Sequence, residues 1–303
     1  MTLISKKIKI SLIVLSIFLF KYVYAEDLKS NISDKFYSNI NEFSQNLAQG
    51  LSDTLSQNEN IKYFDITVDI KENRKPSFEI LSVNKISEDS DSAIFNQTNI
   101  ISHDGDTTIN LGLGKRKLLN NDLLMLGGNA FLDRQIGSEA HFRAGLGAEA
   151  ISSVFDLRAN YYNAISGWEF TDEGKEKALD GYDLQLNYHL QDITNTDLYI
   201  QTFEWENPNS TFKEKGEKGG ITSKIGNFAF EAGYLNNNKN NDGFFGSIKL
   251  VIPLGEEKEN TTTENTETNS KYVSVKDKLY IPVKRENKIR VVKIASGVKV
   301  SGF

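Results

Sequence analysis

The sequence predicts an all-β protein, a 12-stranded antiparallel transmembrane β-barrel of the outer-membrane type, preceded by an amphipathic helix. Apolar and polar residues alternate one for one in four consecutive stretches between Asp106 and Ser166, which is the period of strands with one apolar face. The chain also begins with an export signal, and its longest polar connections all fall on one side of the strand order. Together these observations favour a barrel in a bilayer over a soluble β-protein.

Residues 1–25 have the layout of a secretory signal peptide. Residues 6–9 hold three lysines, residues 10–20 are apolar, and residues 23–25 end in Ala25 at the expected cleavage position. A retained transmembrane anchor is the weaker alternative, because the apolar run is short and ends at Lys21. The chain contains no cysteine, which excludes disulfides, thiolate zinc sites and a cysteine nucleophile.

Residues 26–60 are expected to form one periplasmic amphipathic helix. The apolar residues of this region recur at spacings of three and four, as on a helix with one apolar face: Phe36, Ile40, Phe43, Leu47, Leu51 and Leu55. Gly50 costs about 1 kcal/mol relative to Ala in a helix interior, and the polar run at 57–60 ends the pattern. Either a periplasmic helix or a plug of the barrel has this shape.

Residues 61–255 are expected to form the barrel domain. The 12 strands are predicted at 61–70, 76–86, 92–102, 106–117, 123–134, 139–150, 154–165, 180–191, 197–206, 219–225, 228–235 and 243–254. In the strand at 139–150, Phe142 and Leu146 lie on one face, and Arg143 and Glu149 lie on the other. Only 39% of all residues are hydrophobic. A barrel is compatible with this value, because its polar lumen-facing residues offset its apolar lipid-facing residues in the overall composition. A soluble β-sandwich shows the same alternation, so alternation alone leaves both architectures open.

Loop length separates the two architectures. If the first strand rises from the periplasm, the longest connections, 167–179, 207–218 and 236–242, all lie outside the cell, while the opposite side keeps short links such as 151–153 and 226–227. Short periplasmic turns and long external loops are typical of outer-membrane barrels. Aromatic residues at or near strand ends are expected in interfacial girdles: Phe131, Tyr161, Tyr162, Trp168, Tyr199 and Trp205.

Beyond Gly255 the composition changes. Residues 256–270 are a polar low-complexity stretch expected to be a flexible linker. Residues 271–303 form a basic tail, with short β-like alternation at 278–283 and 289–292. About 30 residues are too few for an independent core. The basic charge favours contact with lipopolysaccharide phosphates or a partner protein, and a solvated strand face is an equally good alternative.

A series of short motifs runs along the alternating region. They lie at 110–114 (Asn-Leu-Gly-Leu-Gly), 127–133 (Gly-Gly-Asn-Ala-Phe-Leu-Asp), 143–149, 159–162 and 166–168, with later pieces at 180–184, 203–205 and 282–289. The spaced series resembles the β-domain of inverse autotransporters, the intimin and invasin family. A single Gly-Leu-Gly carries no such information. The resemblance extends from the helix before residue 60 to about residue 254, and to the short segment at 282–289.

The resemblance implies an outer-membrane barrel of 12 strands in a Gram-negative bacterium. In the family, the barrel lets a C-terminal passenger pass through the lumen and stay displayed outside, usually as immunoglobulin-like adhesin domains. Here the residues after Gly255 are too few for a domain of about 100 residues, so the expected passenger is the short basic tail, with a link to adhesion as a secondary expectation. The implied partners are outer-membrane lipid, the barrel-assembly machinery and periplasmic chaperones. No nucleic acid and no particular surface ligand are expected.

The polar face of the strands predicts a lumen wall with a structural role. Its charged and amide side chains are expected to brace the barrel and to solvate a linker that threads it, the alternative being unpaired charges in lumen water. Its glycines are expected to leave room for that linker, because glycine inside a strand marks a bend or a close approach of another backbone. The lumen-facing residues expected along this path are Asn110, Gly112, Gly114, Asn129, Arg143, Gly145, Gly147, Glu149 and Arg158.

No catalytic or metal-binding pattern stands out in the sequence. His103 lies in an expected loop, His141 and His189 are expected inside the lumen, and the chain has no ligand pair at metal-binding spacing. A hydrolase site at His189 with Asp183 or Asp192 is a weaker alternative. We therefore expect no enzyme and no cofactor or metal. The main alternative to a translocator is an outer-membrane channel or structural barrel with a periplasmic tail.

Overall fold

The computed structural model describes residues 57–71, 74–103, 106–137, 140–171, 174–191, 195–208, 210–252, 273–295 and 298–299, together with Ser52, Leu55, Ile193 and Leu254. The predicted signal peptide, nearly all of the predicted helix and the predicted linker lie outside these residues. The described part of the chain contains no helix with the length and apolarity needed to cross a bilayer.

Twelve of the described strands form one closed barrel. Their bounds are β1 (Ile61–Lys71), β2 (Ser77–Glu88), β3 (Ser92–His103), β4 (Asp106–Leu119), β5 (Leu124–Ile136), β6 (Phe142–Ser152), β7 (Phe155–Ala164), β10 (Asp180–His189), β11 (Thr196–Glu206), β12 (Lys213–Ile225), β13 (Phe228–Asn237) and β14 (Gly243–Ile252). Each strand is hydrogen-bonded to its sequence neighbours in antiparallel fashion, with β10 beside β7. β1 pairs with β14, where Phe64 lies opposite Ile252, and this pairing leaves the barrel without a free edge.

A second, smaller sheet has four strands, in the order β16 (Val298–Lys299), β15 (Val291–Ala295), β9 (Gly174–Ala178) and β8 (Glu169–Thr171). A hairpin of β8 (Glu169–Thr171) and β9 (Gly174–Ala178) connects β7 to β10, whereas β15 (Val291–Ala295) and β16 (Val298–Lys299) come from the end of the chain. β15 lies antiparallel to β9, with Val291 opposite Ala178 and Ala295 opposite Gly174. This sheet therefore ties β15 and β16 to a connection between two barrel strands.

The barrel has two unlike ends. Residues 120–123, 153–154 and 226–227 are tight connections at one end, which we call the turn end, and Ile61 and Ile252 lie there as well. Asn120, Asn121 and Asp122 all have positive φ (52°, 55° and 67°), a conformation that Asn and Asp tolerate better than most residues. The opposite end, which we call the loop end, carries residues 165–179, 207–212 and 238–242.

The predicted barrel of 12 antiparallel strands is confirmed, but two expected loops are wrong. The strand predicted at 219–225 begins at Lys213, so the long loop predicted at 207–218 shrinks to 207–212. Its charged start fits a strand because Lys213 and Lys215 pair with Glu204 of β11 at 2.5 and 2.9 Å, and cross-strand opposite charges stabilise a sheet. The loop predicted at 167–179 contains the β8–β9 hairpin.

Side chains divide between the two faces of the barrel wall as the alternation predicts. Large apolar side chains such as Leu111, Leu113 and Leu146 are exposed on the outside, while polar and charged side chains are buried inside. The expected aromatic girdle is only partly present, because four of its members point inward and are buried: Phe131, Tyr162, Tyr199 and Trp205. Tyr161 is exposed on the outside. Period-two patterning shows alternation, but aromatic residues fit either face, which is why these four were misassigned.

Candidate functional site

The interior of the barrel holds the segment that precedes β15. We call residues 273–290 the lumen segment. At the turn end, the Val275 amide donates a hydrogen bond to the Asp122 carbonyl at 2.8 Å, and at the loop end the Leu179 amide donates to the Arg290 carbonyl at 2.9 Å. The lumen segment therefore runs along the whole barrel, from the turn end to the loop end.

An apolar cluster holds the start of the lumen segment at the turn end. Val275 and Leu279 flank a single 3-10 turn (Lys276–Lys278) and are fully buried against Ala93, Leu118, Met125 and Ile151. The Lys278 amine donates to the Ser152 carbonyl at 3.0 Å. Burying Val and Leu side chains stabilises the contact by about 1.5–3 kcal/mol each, so hydrophobic packing anchors the segment to the wall at this end.

Above this cluster, barrel side chains bind the main chain of the segment. Arg116 of β4 donates through Nη1 to the Leu279 carbonyl at 2.8 Å and to the Ile281 carbonyl at 2.6 Å. The Val283 amide donates to Gln97 Oε1 at 2.7 Å, and Gln97 Nε2 donates back to the Val283 carbonyl at 3.4 Å. The Gln97 amide thus pairs with the segment much as a neighbouring strand would.

One barrel carboxylate lies between two guanidinium groups in the half of the lumen nearer the loop end. Asp133 of β5 accepts two parallel hydrogen bonds from Arg285 of the segment at 2.7 Å each, and one from Arg143 Nε at 2.8 Å. All three side chains are almost completely buried. The Arg285 guanidinium also lies 4.2 Å from the centroid of the Phe131 ring. Bidentate arginine–carboxylate pairs are among the strongest hydrogen-bonded contacts in proteins, so this cluster fixes the segment in register.

The residues beyond Arg285 are again held through their main chain. Arg143 donates to the carbonyls of Glu286 (2.6 Å) and Lys288 (3.0 Å). Asn110 donates to the Asn287 carbonyl at 3.0 Å, and the Glu286 amide donates to the Tyr162 hydroxyl at 2.7 Å. The segment forms no strand here, and the lumen wall supplies most of the hydrogen-bond partners that a neighbouring strand would otherwise supply.

At the loop end the segment leaves the barrel through a mixed apolar and charged collar. Val292 is buried in an apolar cluster with Tyr162, Leu179, Phe203, Trp205, Phe212 and Leu235. Arg290 pairs with Glu286 at 3.0 Å and with Glu214 of β12 at 3.7 Å. Beyond the collar, β15 continues the sheet of β9 and β8, so β15 is fixed by backbone hydrogen bonds and by the packing of Val292 together.

Beside the collar, a buried carboxylate joins three parts of the chain. Glu176 of β9 lies 2.9 Å from His141 Nε2 and 3.0 Å from the Lys293 amine of β15. His141 Nδ1 lies 3.1 Å from Ser166 Oγ. Burial raises the pKa of the Glu176 carboxyl, but the hydrogen bonds with His141 and Lys293 outweigh it, so the net pKa lies below the usual range. The ionised form of Glu176 therefore helps to dock β15.

The residues expected along the linker path all lie on barrel strands and face this interior. Asn110 and Arg143 contact the lumen segment directly. Glu149 accepts a hydrogen bond from Arg116 at 2.6 Å and lies 3.9 Å from Arg158. Glu149 thus supports Arg116, which binds the segment, and Arg158 lies beside Glu149. Asn129 lies beside Gly147, where a Cβ would overlap its amide.

The glycines expected along the linker path lie against different side chains. A Cβ at Gly112 would overlap the Phe131 ring, and one at Gly114 would overlap the Phe95 ring. These glycines thus accommodate rings of neighbouring strands, and those rings in turn pack against the segment at Val283. Gly145 differs, because a Cβ there would lie 3.0 Å from the Arg285 guanidinium of the segment itself.

Several residues that hold the segment were not predicted from the sequence, among them Arg116, Gln97 and Asp133, which are all buried. Arg116 and Asp133 have the same inward parity as predicted neighbours on their strands. Parity could have found them, since Arg116 continues the Asn110, Gly112, Gly114 series. The sequence gives no sign of which inward polar side chain contacts the segment, because that depends on the register between the segment and the wall.

The Gly145→Leu variant is expected to destabilise the folded protein by about 1–3 kcal/mol, because an added side chain must displace Arg285 from Asp133. The measurement is the temperature at which the folded barrel loses its distinct mobility on a detergent gel. Gly128→Leu, one strand away, is the matched control: the nearest atom to its Cβ is 3.9 Å away. Equal unfolding temperatures for the two variants would contradict this account of Gly145.

Acid is expected to release β15 from the collar. Because the folded-state pKa of Glu176 is depressed, its stabilisation is constant above the ordinary glutamate value of about 4.3 and is lost as the pH falls below it, through the folded-state pKa. The measurement is protease cleavage of the chain after residue 290 between pH 7 and pH 3. In Glu176→Gln the docking should be weaker at neutral pH, and its response to acid should be smaller than that of the unmodified chain.

Comparison with known proteins gives one family and several barrels. The family model described as "Inverse autotransporter, beta-domain" matches residues 21–287. A chain solved in work on the in-meso crystallization of membrane proteins is similar at a TM-score of 0.63 with 19% identity, over 76% of this chain and 98% of that one, which shows the barrel fold. KdgM porin follows at a TM-score of 0.44 and 8% identity, over 64% and 99% of the two chains. Phospholipase A from the outer membrane of Escherichia coli has a TM-score of 0.39 and 10% identity, over 64% and 90%.

Proposed function

The chain belongs to the inverse autotransporter β-domain family, and from this membership we propose that the barrel exports its own C-terminal segment, residues 271–303, and holds it at the cell surface. The family is one of outer-membrane β-barrel translocators of Gram-negative bacteria. The protein accordingly lies in the outer membrane, in contact with membrane lipid.

The course of the lumen segment is the observation that carries the proposal. Short turns face the periplasm in outer-membrane barrels, so we assign the turn end to the periplasm and the loop end to the outside. With this orientation the segment starts on the periplasmic side, at Val275, and β15 reaches the external hairpin β8–β9. The alternative, a channel with a periplasmic tail, finds less support, because it leaves the docked β15 without a role.

Each part of the chain has a proposed task. Residues 1–25 direct export and are removed, residues 26–60 form a periplasmic helix, residues 61–255 form the barrel and residues 256–270 connect it to the tail. We expect insertion to depend on the barrel-assembly machinery and on periplasmic chaperones. The lumen polar residues serve structure and passage, and we propose no catalytic role for them. A part in adhesion would fall to the exposed end of the tail and to the external hairpin.

Protease shaving of intact cells tests the proposal. A peptide tag placed after Phe303 should be cleaved by a protease added outside. The same tag inserted at Asn121, in a turn assigned to the periplasm, is the matched control and should be cleaved only after the outer membrane is made permeable. Protection of the Phe303 tag in intact cells, together with cleavage after permeabilisation, would instead support the channel with a periplasmic tail.

A further inference from the structure

A group of four polar side chains lies on the outer, lipid-facing wall of β2 and β3. Their strand neighbours Leu81 and Val83 pack inward, and successive side chains of a strand point to opposite faces of a sheet. The four side chains therefore point outward, and all are partly exposed. They form two adjacent cross-strand pairs, which we call the polar island: Ser82 with Thr98, and Asn84 with Asn96.

Apolar side chains flank the polar island toward both ends of the barrel. Ile80 and Ile100 are exposed on its loop-end side, and Ile86 and Ile94 are exposed on its turn-end side. Leu113 of β4 continues the row of Asn84 and Asn96. The island therefore lies within the lipid-facing surface and not at one of its edges. In hydrocarbon no water is present to satisfy a polar group, so a group without a partner is costly there.

The hydrogen bonds inside the island run in one direction. Ser82 Oγ donates to Asn84 Oδ1 at 3.0 Å, and Asn84 Nδ2 donates to Asn96 Oδ1 at 2.7 Å. Within the described part of the chain, no group accepts a hydrogen bond from Asn96 Nδ2, and the Thr98 hydroxyl has no hydrogen-bond partner. The island thus ends in unused donors on β3 and in an acceptor, the Ser82 hydroxyl oxygen, on β2.

Beside the island the outer wall has a groove of about 530 Å³. Asn96 and Thr98 form one end of it, and Ala130 and Ala144 lie low between larger side chains of the same wall. Those larger side chains are four leucines: Leu111, Leu113, Leu132 and Leu146. On the other side of the island, Phe78 of β2 is a large exposed side chain. The island therefore separates a ridge on β2 from a depression on β4 to β6.

We propose that two copies of this chain associate in the outer membrane through the outer faces of β2 to β6, with their polar islands in contact. Copies in one membrane are inserted in the same sense, so the two-fold axis of such a dimer runs along the membrane normal. This axis brings β2 of one copy against β3 and β4 of the other.

The two-fold contact satisfies both features of the face. The donors on β3 of one copy meet the acceptor on β2 of the other, and this happens twice. The β2 ridge of each copy meets the groove of the other. In a membrane, close packing and hydrogen bonds drive association, because lipid tails are as apolar as the protein surface. The contact lies outside the barrel, so it does not depend on the direction in which the tail is exported.

Single cysteines test whether the partner is a second copy. The chain has no cysteine of its own, so Thr98→Cys carries one thiol in the centre of the face. Oxidation of outer membranes that contain the folded variant should give a covalent product of twice the chain mass. Leu186→Cys, at an exposed outward position on β10, is the matched control and should give none. A Thr98→Cys product of another mass, no product, or equal yields from both variants would overturn the proposal.

Apolar substitution tests the role of the island. In Asn96→Leu with Thr98→Val, the dissociation constant of the full-length dimer in lipid vesicles should rise by about tenfold or more, since a few membrane-buried hydrogen bonds are lost. The unfolding temperature should not fall, because outward apolar side chains suit lipid. Thr202→Val makes a similar change at an exposed position on β11 and should leave the dissociation constant unchanged. A monomeric unmodified chain, or equal dissociation constants in all three proteins, contradicts the proposal.

Discussion

Replacing Asp133 by asparagine is expected to destabilise the folded protein by about 3–5 kcal/mol, the typical result of removing one partner from a buried ion pair. The carboxylate neutralises two buried guanidinium groups, Arg143 of the wall and Arg285 of the segment. Its loss leaves both charges in a desolvated site. The measurement is the unfolding temperature of the purified barrel, together with tryptic cleavage at Arg285.

Two variants make this prediction specific. Asp91→Asn removes a carboxylate whose pair with Lys117 is 3.8 Å long and about half exposed, and such pairs contribute little to stability. Its unfolding temperature should match that of the unmodified chain. Arg285→Met keeps the Asp133–Arg143 pair, so it should free the segment for proteolysis with a smaller change in barrel stability. If Asp133→Asn unfolds at the same temperature as Asp91→Asn, the cluster does not hold the segment.

The second large effect is expected for Arg116→Met. This change removes the donor to two segment carbonyls and leaves Glu149 as a buried carboxylate whose nearest basic neighbour is Arg158 at 3.9 Å. We expect a loss of about 3–5 kcal/mol, measured as above. Because Arg116 contacts the segment at residues 279 and 281, protease sensitivity of the segment near the turn end should rise in parallel.

A double-mutant cycle separates the two causes. Arg116→Met with Glu149→Gln removes the uncompensated charge, so the double variant should be more stable than Arg116→Met alone. The residual loss then reports the hydrogen bonds to the segment carbonyls, worth about 1.5–3 kcal/mol each when the donor is charged. Additive effects of the two single changes would show that Arg116 and Glu149 are not coupled, contrary to their 2.6 Å contact.

The barrel could be predicted from the sequence because each strand is marked by the alternation of neighbouring residues. Alternation at 106–164 depends only on local parity, and turn residues such as Asn120 and Asp122 interrupt it sharply. The strand at 213–225 was predicted too short, because Lys213 and Lys215 resemble loop residues until Glu204 is known to lie opposite them. Charge pairing across strands is a tertiary property, and composition gives no sign of it.

Only part of the candidate site could be predicted from the sequence. Arg143 and Asn110 were expected in the lumen from parity, and the structure puts both against the segment. The tail was expected to present its basic residues to solvent, to lipopolysaccharide or to a partner, yet Arg285 and Arg290 find carboxylates inside the barrel and its collar. Arg290 also pairs with Glu286, four residues before it. The barrel partners Asp133 and Glu214 lie more than 70 residues away along the chain, so no local pattern connects the tail with them. The predicted β-like alternation at 278–283 forms no strand in the structure: a 3-10 turn ends at Lys278, turn residues follow at 279–280 and a bend at 281, and the lumen wall supplies hydrogen bonds to this main chain.

Most of the contacts that hold the segment end on its peptide groups. Arg116, Gln97, Arg143, Asn110 and Asn160 all bind carbonyl or amide groups of residues 279–288, and every amino acid provides the same carbonyl. The wall thus recognises the side chains of the segment at a few points, chiefly the apolar Val275, Leu279 and Val283 and the charged Arg285. A barrel of this kind tolerates exchange of its cargo: segments that keep these few side chains in register could be grafted into it, and variation elsewhere in the tail need not be matched by change in the wall.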